Sequence, residues 1–416
     1  VGRLFEKREL GMVKHIGRRG VLVAAAAGGV VAPFVGRSAF AAKQVKIGAV
    51  LPITGPNAAV GIGMMNAMDL AVRQINSSGK FGALQFELMK LDDQSLPSEG
   101  VAAVTRAASD PAVMACSAHW NSPVALATRD IFHRRELANL NPCAINWKIT
   151  AEQKGDEIFR IAPSDLWQLE MAAKMPFVTL GKKTYYLIDD NTNYGKSLVG
   201  AFEENATKAG GNKLGGDSIA VGEKDFTAVL TKAKAMKPDV IFFGGVTTEA
   251  ALLRQQMVRL EIPALYYTGS GTMTPTYVET AGAAADGTYA FFYGLPYTAT
   301  PGGGSFIEAY KKAGYDKPYE TYGLIAYAAI EAVAQAVAKA AAGGEPSRKA
   351  VIEALKTETF ATALGPLSFP RPGDAAQKVL AFYVVKDGKW TLTHYSKPDG
   401  GIVVAEKQSV WDLPWK

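Results

Sequence analysis

The sequence predicts an α/β protein built from two doubly wound parallel-sheet lobes. Three observations carry that expectation. From residue 44 onward, apolar runs of strand length alternate with amphipathic helix patterns, the arrangement of a parallel sheet covered on both faces. The same alternation restarts after Pro163, so the unit is repeated. The strand runs end on small or polar residues, DD, CSA, DD, GG and TGS. A ligand in an open sheet sits beyond the carboxyl ends of the strands, so two such lobes facing each other predict an interlobe cleft.

In chain order, VKIGAVLP is a strand followed by a helix in MMNAMDLAVRQIN; FELMKLDD leads to EGVAAVTRAAS; VMACSA leads to PVALATRDIFHR; LANLNPC and IFRIAP complete the first unit. The second unit reads LWQLEMAAKMPFVTL as helix, then KTYYLIDD, LVGAFEENATKAG, GDSIAVG, FTAVLTKAKAM, DVIFFGG, EAALLRQQMVRL and ALYYTGS. The glycine run Pro301-Gly302-Gly303-Gly304 reads as a loop. ETYGLIAYAAIEAVAQAVAKAAA and SRKAVIEALK are helices, and FYVVKDGKWTLTHY is a hairpin turning at Asp387-Gly388, a pair suited to the positive backbone angles of a two-residue turn.

Charge separates the first 41 residues from the rest. The chain holds 45 basic and 39 acidic residues, for a net +6. Seven of the basic and two of the acidic residues lie in 1–41, leaving 38 against 37 in a nearly neutral remainder. Arg18-Arg19, the apolar run Val21 to Val35 and the small residues Ala39 and Ala41 match an export signal cleaved before Ala42, with the arginine pair pointing to the twin-arginine route. The apolar run is too short and too interrupted by glycine and Pro33 for a membrane span. The expected mature protein is soluble and periplasmic.

Cys116 and Cys143 would lie in an oxidising compartment, and neighbouring parallel strands would let them form a disulfide; the alternative is two small buried apolar side chains. No P-loop, G-x-S-x-G, H-E-x-x-H or paired C-x-x-C occurs. Gly61-Ile62-Gly63 fails as a dinucleotide fingerprint because the third glycine is missing. No basic stripe offers nucleic acid a footing. Asp92 and Asp93 are consecutive at a strand end and point apart, so no metal and no cofactor is expected. The composition reads as a binder, not an enzyme.

The stretch VKIGAVLPITGPNAAVGIGMMNAMDLAVRQINSSG, together with KLDDQSLP, DDNTNYGKSLVGAFEENATKAGG, VGEKDFTAVLTKAKAMKPDVIFFGG, EAALLRQ and ETYGLIAYAAIEA, resembles the type I periplasmic solute-binding proteins of ABC transporters, in the branched-chain amino acid group. The resemblance spans essentially the whole chain after the leader. It implies two lobes joined by three hinge crossovers, residues 42–163 with 295–372 and 164–294 with 373–416, closing over a small ligand for a membrane permease. It also implies a monomer. In this family a serine and a threonine of the first lobe hold a ligand carboxylate, an acid of the second lobe holds the ammonium, and tyrosines wall the side chain.

Position by position, the resemblance puts the serine site at Ala118, beside His119 and Trp120, and the threonine site at Ile145, between Ala144 and Asn146. The tyrosines fall at Tyr194 and Tyr322, and the second-lobe strand ends at Val246, Thr247 and Ser270. Ser270 stands where an ammonium-binding acid is expected. A buried ammonium without a counter-charge is costly, so the ligand is expected to be a carboxylate lacking an α-ammonium: a 2-oxo acid, an aromatic acid or a hydroxy acid. Amino acids or amides are the alternative, and a periplasmic sensor on the same fold is a second one. His119 and Trp120 are expected to touch the ligand, as a donor and a flat wall. Glu249, His133 and His394 are expected on the surface, and Met64, Met65, Met68, Tyr185, Tyr186, Tyr266 and Tyr267 in the core.

Overall fold

The computed structural model describes residues 43–370, 373–397 and 400–405; the predicted export signal and its cleavage site lie outside them. The first sheet is parallel, with β1 (Lys43–Leu51), β2 (Leu84–Asp92), β3 (Val113–Ala118), β4 (Ala138–Asn141) and β5 (Ile158–Arg160) in the order β2-β1-β3-β4-β5. The central strands are apolar on both faces because helices cover both: β1 is buried from Ile47 to Leu51. Those helices are α1 (Ala58–Ser78), α2 (Pro97–Ser109) and α3 (Ser122–Arg134), with a short turn α4 (Lys148–Ala151).

The second sheet opens with β6 (Thr184–Asp189), β7 (Asn212–Ser218), β8 (Val240–Gly244), β9 (Leu265–Thr268) and β10 (Tyr289–Tyr293), again parallel and in the order β7-β6-β8-β9-β10. The two five-strand units thus share one topology, that of a sheet wound outward in both directions from its first and third strands. Its helices are α5 (Asp165–Ala172), α6 (Asn193–Lys208), α7 (Thr227–Met236), α8 (Thr247–Arg259) and α9 (Pro275–Ala281). The strand β10 was not anticipated. GDSIAVG is also shifted: the strand ends at Ser218.

After β10 the chain returns to the first lobe as α10 (Gly303–Ala313), α11 (Gly323–Ala341), α12 (Arg348–Thr357) and the ribbon β11 (Phe360–Thr362) with β12 (Gly365–Leu367). The glycine run expected as loop starts a helix instead, at Gly303. The alanine-rich α11 packs along α1 and is buried on most of its surface, which explains its apolar length without a membrane. The chain then crosses a third time to add β13 (Leu380–Lys386), β14 (Lys389–Ser396) and β15 (Ile402–Val404) antiparallel to β10. Asp387 and Gly388 make the tight turn with φ of 49° and 67°.

One apolar cluster runs from the face of β1 through the crossovers to the inner face of the second sheet, and includes Met64, Met65, Met68, Tyr185 and Tyr267. Tyr186 and Tyr266 point into a separate cluster on the other face, as strand alternation requires. All four strand tyrosines are core. Of the two readings left open for the cysteines, the structure shows the second: both are buried free thiols. Cys116 points from β3 into the cluster under α2 and α3, and Cys143 belongs to the opposite one. The Cys116 sulfur occupies the space a side chain on Gly48 would need, 2.6 Å from that Cβ position. Burial pushes its thiol up to about 12.

Candidate functional site

Each sheet changes winding direction at one place, between β1 and β3 in the first and between β6 and β8 in the second. Loops that leave such neighbouring strands diverge to opposite faces and open a crevice. The four loops meet around one cavity of about 260 Å³ between the lobes. That volume is room for a compact solute. Asn57, Asn121, Thr192 and Val246 all line it, and each is the N-cap residue of its helix, α1, α3, α6 and α8.

Four helix N-termini therefore converge on one space, and among the described residues no lysine or arginine lines it. Each N-terminus offers backbone N–H groups without intrahelical partners and the positive end of a helix dipole. Only the cap of α6 is filled by its own side chain, with Thr192 Oγ1 accepting from Gly195 N; the caps of α1, α3 and α8 make no such bond. Asn57 is turned aside to donate to Ser95 Oγ at 2.9 Å. The side-chain oxygen of Asn121 is buried and has no hydrogen-bond partner.

Aromatic rings form the walls. Trp120 meets Tyr322 edge to face, with ring centroids 6.0 Å apart. Tyr322 donates to the Ser270 carbonyl at 2.5 Å, and Tyr194 accepts from the Gly271 N–H at 3.1 Å. A Cβ on Gly271 would lie 2.8 Å from the Tyr194 hydroxyl, so a larger residue there would push that ring aside. The first of those bonds links the two lobes, as do Asn146 Nδ2 to the Asn193 carbonyl at 3.1 Å and Thr321 Oγ1 to the Met273 carbonyl at 2.5 Å.

One carboxylate lines the cavity: Asp190, after β6. Its Oδ1 accepts from the Thr192 N–H and hydroxyl at 3.1 and 2.6 Å, and burial pushes the group up to about 6. Asp92 and Asp93 do diverge. Asp92 accepts from the Ile53 and Thr54 backbone at the end of β1, whereas Asp93 turns inward to His119.

Of the expected site residues, the structure brings Trp120, Ile145, Tyr194, Val246, Ser270 and Tyr322 to the cavity wall. His119 is a correction. Its ring is fully buried behind the strand end, with Nδ1 3.0 Å from Asp93 and Nε2 3.0 Å from Thr128, so both polar atoms are spent inside the lobe. Ala118 and Ala144 pack into the same buried cluster. Asn146 reaches the other lobe rather than the cavity, and the Thr247 hydroxyl donates to the Gly271 carbonyl. Glu249 is not on the surface; it is 3% exposed and accepts from Gly222 N at 2.9 Å. His394 is half-buried, and burial lowers its pKa. His133 is partly exposed beside Glu157 at 3.2 Å.

Sequence reasoning missed Asn57, Gln94, Ser95, Asn121, Asp190 and Val221. Two of these carried a readable signal: Asn121-Ser122-Pro123 has the cap and first-turn composition of a helix start, and Asn57 is a favoured cap residue type. Asp190 stands inside the quoted DDNTNYG run.

A family model described as periplasmic binding protein matches residues 44–389. The chain is 30% identical over 340 residues to the Leu/Ile/Val-binding protein homolog 1 of Brucella suis, covering 82% of this chain and 89% of that one. Its fold superposes on the leucine binding protein LivK of Thermotoga maritima with a TM-score of 0.78 at 26% identity, over 85% of this chain and 99% of LivK. It also matches a solute binding protein of R. palustris solved with benzoate, with a TM-score of 0.75 at 19% identity, over 84% and 95% of the two chains. With two lobes of one topology, a ligand-sized cavity between them and a match along nearly the whole described chain, this protein belongs to the type I periplasmic binding protein family, in its branched-chain amino acid group.

Proposed function

We propose that the protein is a solute receptor, not an enzyme, which closes on a small carboxylate-bearing molecule lacking an α-ammonium and delivers it to the permease of an ABC importer. A 2-oxo acid, an aromatic acid or a hydroxy acid fits. The observation that carries this reading is the convergence of four helix N-caps on a cavity with no basic side chain. Such a site binds an anion through backbone donors. Trp120, Tyr194 and Tyr322 supply flat apolar walls for the rest of the ligand. The second-lobe loop at Ser270 brings no acid, and its carbonyl is already occupied by Tyr322.

Asp190 favours a second reading, an α-amino acid, because it is a carboxylate on the cavity wall and the Brucella relative is named for leucine, isoleucine and valine. The two readings differ in the sign of a pH dependence. An anion without an ammonium is repelled by ionised Asp190, so its affinity falls as pH rises through about 6. An amino acid pairs with ionised Asp190, so its affinity rises over the same interval. Calorimetric titration with 2-oxoisocaproate, benzoate and leucine between pH 5 and 7.5 separates them. Tight leucine binding that strengthens with pH, with no oxo acid binding, overturns the first reading.

A further inference from the structure

A second recess, of about 860 Å³, shares no lining residue with the solute cavity. Both lobes wall it. Val278 and Glu279 on α9 and Trp390 on β14 come from the second, and Ile307, Tyr319 and Glu320 come from the part of the chain that returns to the first. Tyr297 from the crossover between them completes an aromatic lining, its ring 5.8 Å from that of Tyr319.

Glu320 is the unusual member of this lining. It is 3% exposed, its Oε2 is buried without a hydrogen-bond partner, and its Oε1 has only the Thr276 hydroxyl at a long 3.4 Å. Its position is fixed by close packing: a Cβ on Gly63 of α1 would lie 2.5 Å from the Pro318 carbonyl and 3.1 Å from Glu320 Cγ. Glu279 and Lys389 also border the recess. Burial, assisted by Glu279, pushes the Glu320 carboxyl up to about 7. A buried acceptor left unpaired costs about 1–3 kcal/mol, more when charged, and a cationic donor is the chemistry that removes this cost.

We propose that this recess is a second ligand site, for a small primary amine with an apolar body, whose ammonium donates to Glu320 Oε2 while the body lies against Tyr297, Tyr319 and Trp390. An ammonium beside tyrosine and tryptophan faces gains cation–π attraction as well. Because both lobes wall the site, an amine held there fastens the lobes in the arrangement that forms the solute cavity. It therefore raises affinity for the solute in the main cavity, and the solute raises affinity for the amine by the same factor.

The probe is 4-(trifluoromethyl)benzylamine, followed by fluorine NMR against the full mature chain. The expected result is saturable one-site binding, at least about tenfold tighter than for 4-(trifluoromethyl)benzyl alcohol, as a hydrogen bond to a charged group implies. Glu320→Gln should weaken the amine by about tenfold or more and leave the alcohol unchanged. Val278→Trp, which fills the recess from α9, should abolish binding of the amine, and it decides the question if Glu320→Gln does not fold. Tyr194→Ala, in the main cavity, should leave amine binding intact. Equal affinity for amine and alcohol, unchanged binding in Val278→Trp, or loss in Tyr194→Ala would each overturn the proposal.

Discussion

Arg160 grips Asp374 with two nitrogens, Nε to Oδ1 and Nη2 to Oδ2, each at 2.9 Å. The guanidinium is fully buried, and its Nη1 donates to the Asn146 carbonyl at 2.8 Å. One side chain thus ties the end of β5 to the third crossover and to the loop that carries Ile145. Removing one partner leaves a buried charge unpaired, at a cost of about 3–5 kcal/mol. Asp374→Ala should lower stability in urea unfolding by that order, and Arg160→Met with Asp374→Leu should recover part of the loss.

Tyr322→Phe removes a hydrogen bond between the lobes while keeping the ring against Trp120. The net worth of such a bond is about 1 kcal/mol, so solute affinity should fall about fivefold in titration calorimetry. Trp120→Ala removes the wall itself and should weaken binding further. It should also cost about 3 kcal/mol of stability, since a buried tryptophan is truncated.

Asp190 gives the folding equilibrium a slope at acidic pH. Its folded value of about 6 stands above its ordinary 3.8, with burial as the main cause. The folded chain keeps a proton that the unfolded chain releases, so this group's contribution is complete below 3.8 and is lost as pH rises to about 6. Asp190→Asn keeps the oxygen that accepts from Thr192 and should flatten that part of the stability profile. At pH 7 the variant should be more stable than the parent by about 3 kcal/mol, read from unfolding midpoints across pH 4 to 7.5.

Gly195, one turn into α6, lets the helix start press against its strand ends. A Cβ there would fall 2.2 Å from Asp190 Oδ1 and 2.4 Å from the Gly244 carbonyl. Gly195→Ala should cost about 1–3 kcal/mol as an overpacked contact. It should also displace Asp190, so the pH dependence of solute binding should shift with it.

The alternating rhythm of the chain made both sheets legible, because a strand buried on two faces must be apolar throughout and its covering helix must be amphipathic. VMACSA matches β3 residue for residue, and the Asp387-Gly388 turn is where its positive φ angles demand. The direction in which a loop side chain points was not legible. His119 and Trp120 are adjacent, yet one turns into the lobe toward Asp93 and the other onto Tyr322. Partners that decide this lie far away in sequence. The glycines of Gly61-Ile62-Gly63 were legible only as a failed motif. In the structure they are close-packing points, Gly61 against the Pro52 carbonyl and Gly63 against residues 318–320.

The four capping residues carry a wider consequence. Three of them, Asn57, Asn121 and Val246, make no capping bond with their side chains, so the helix each one starts does not depend on that side chain. At those three positions, what the cavity accepts can change separately from what holds the lobes together. Exchanging Asn57, Asn121 or Val246 should therefore retool what is captured and leave the two sheets as they are.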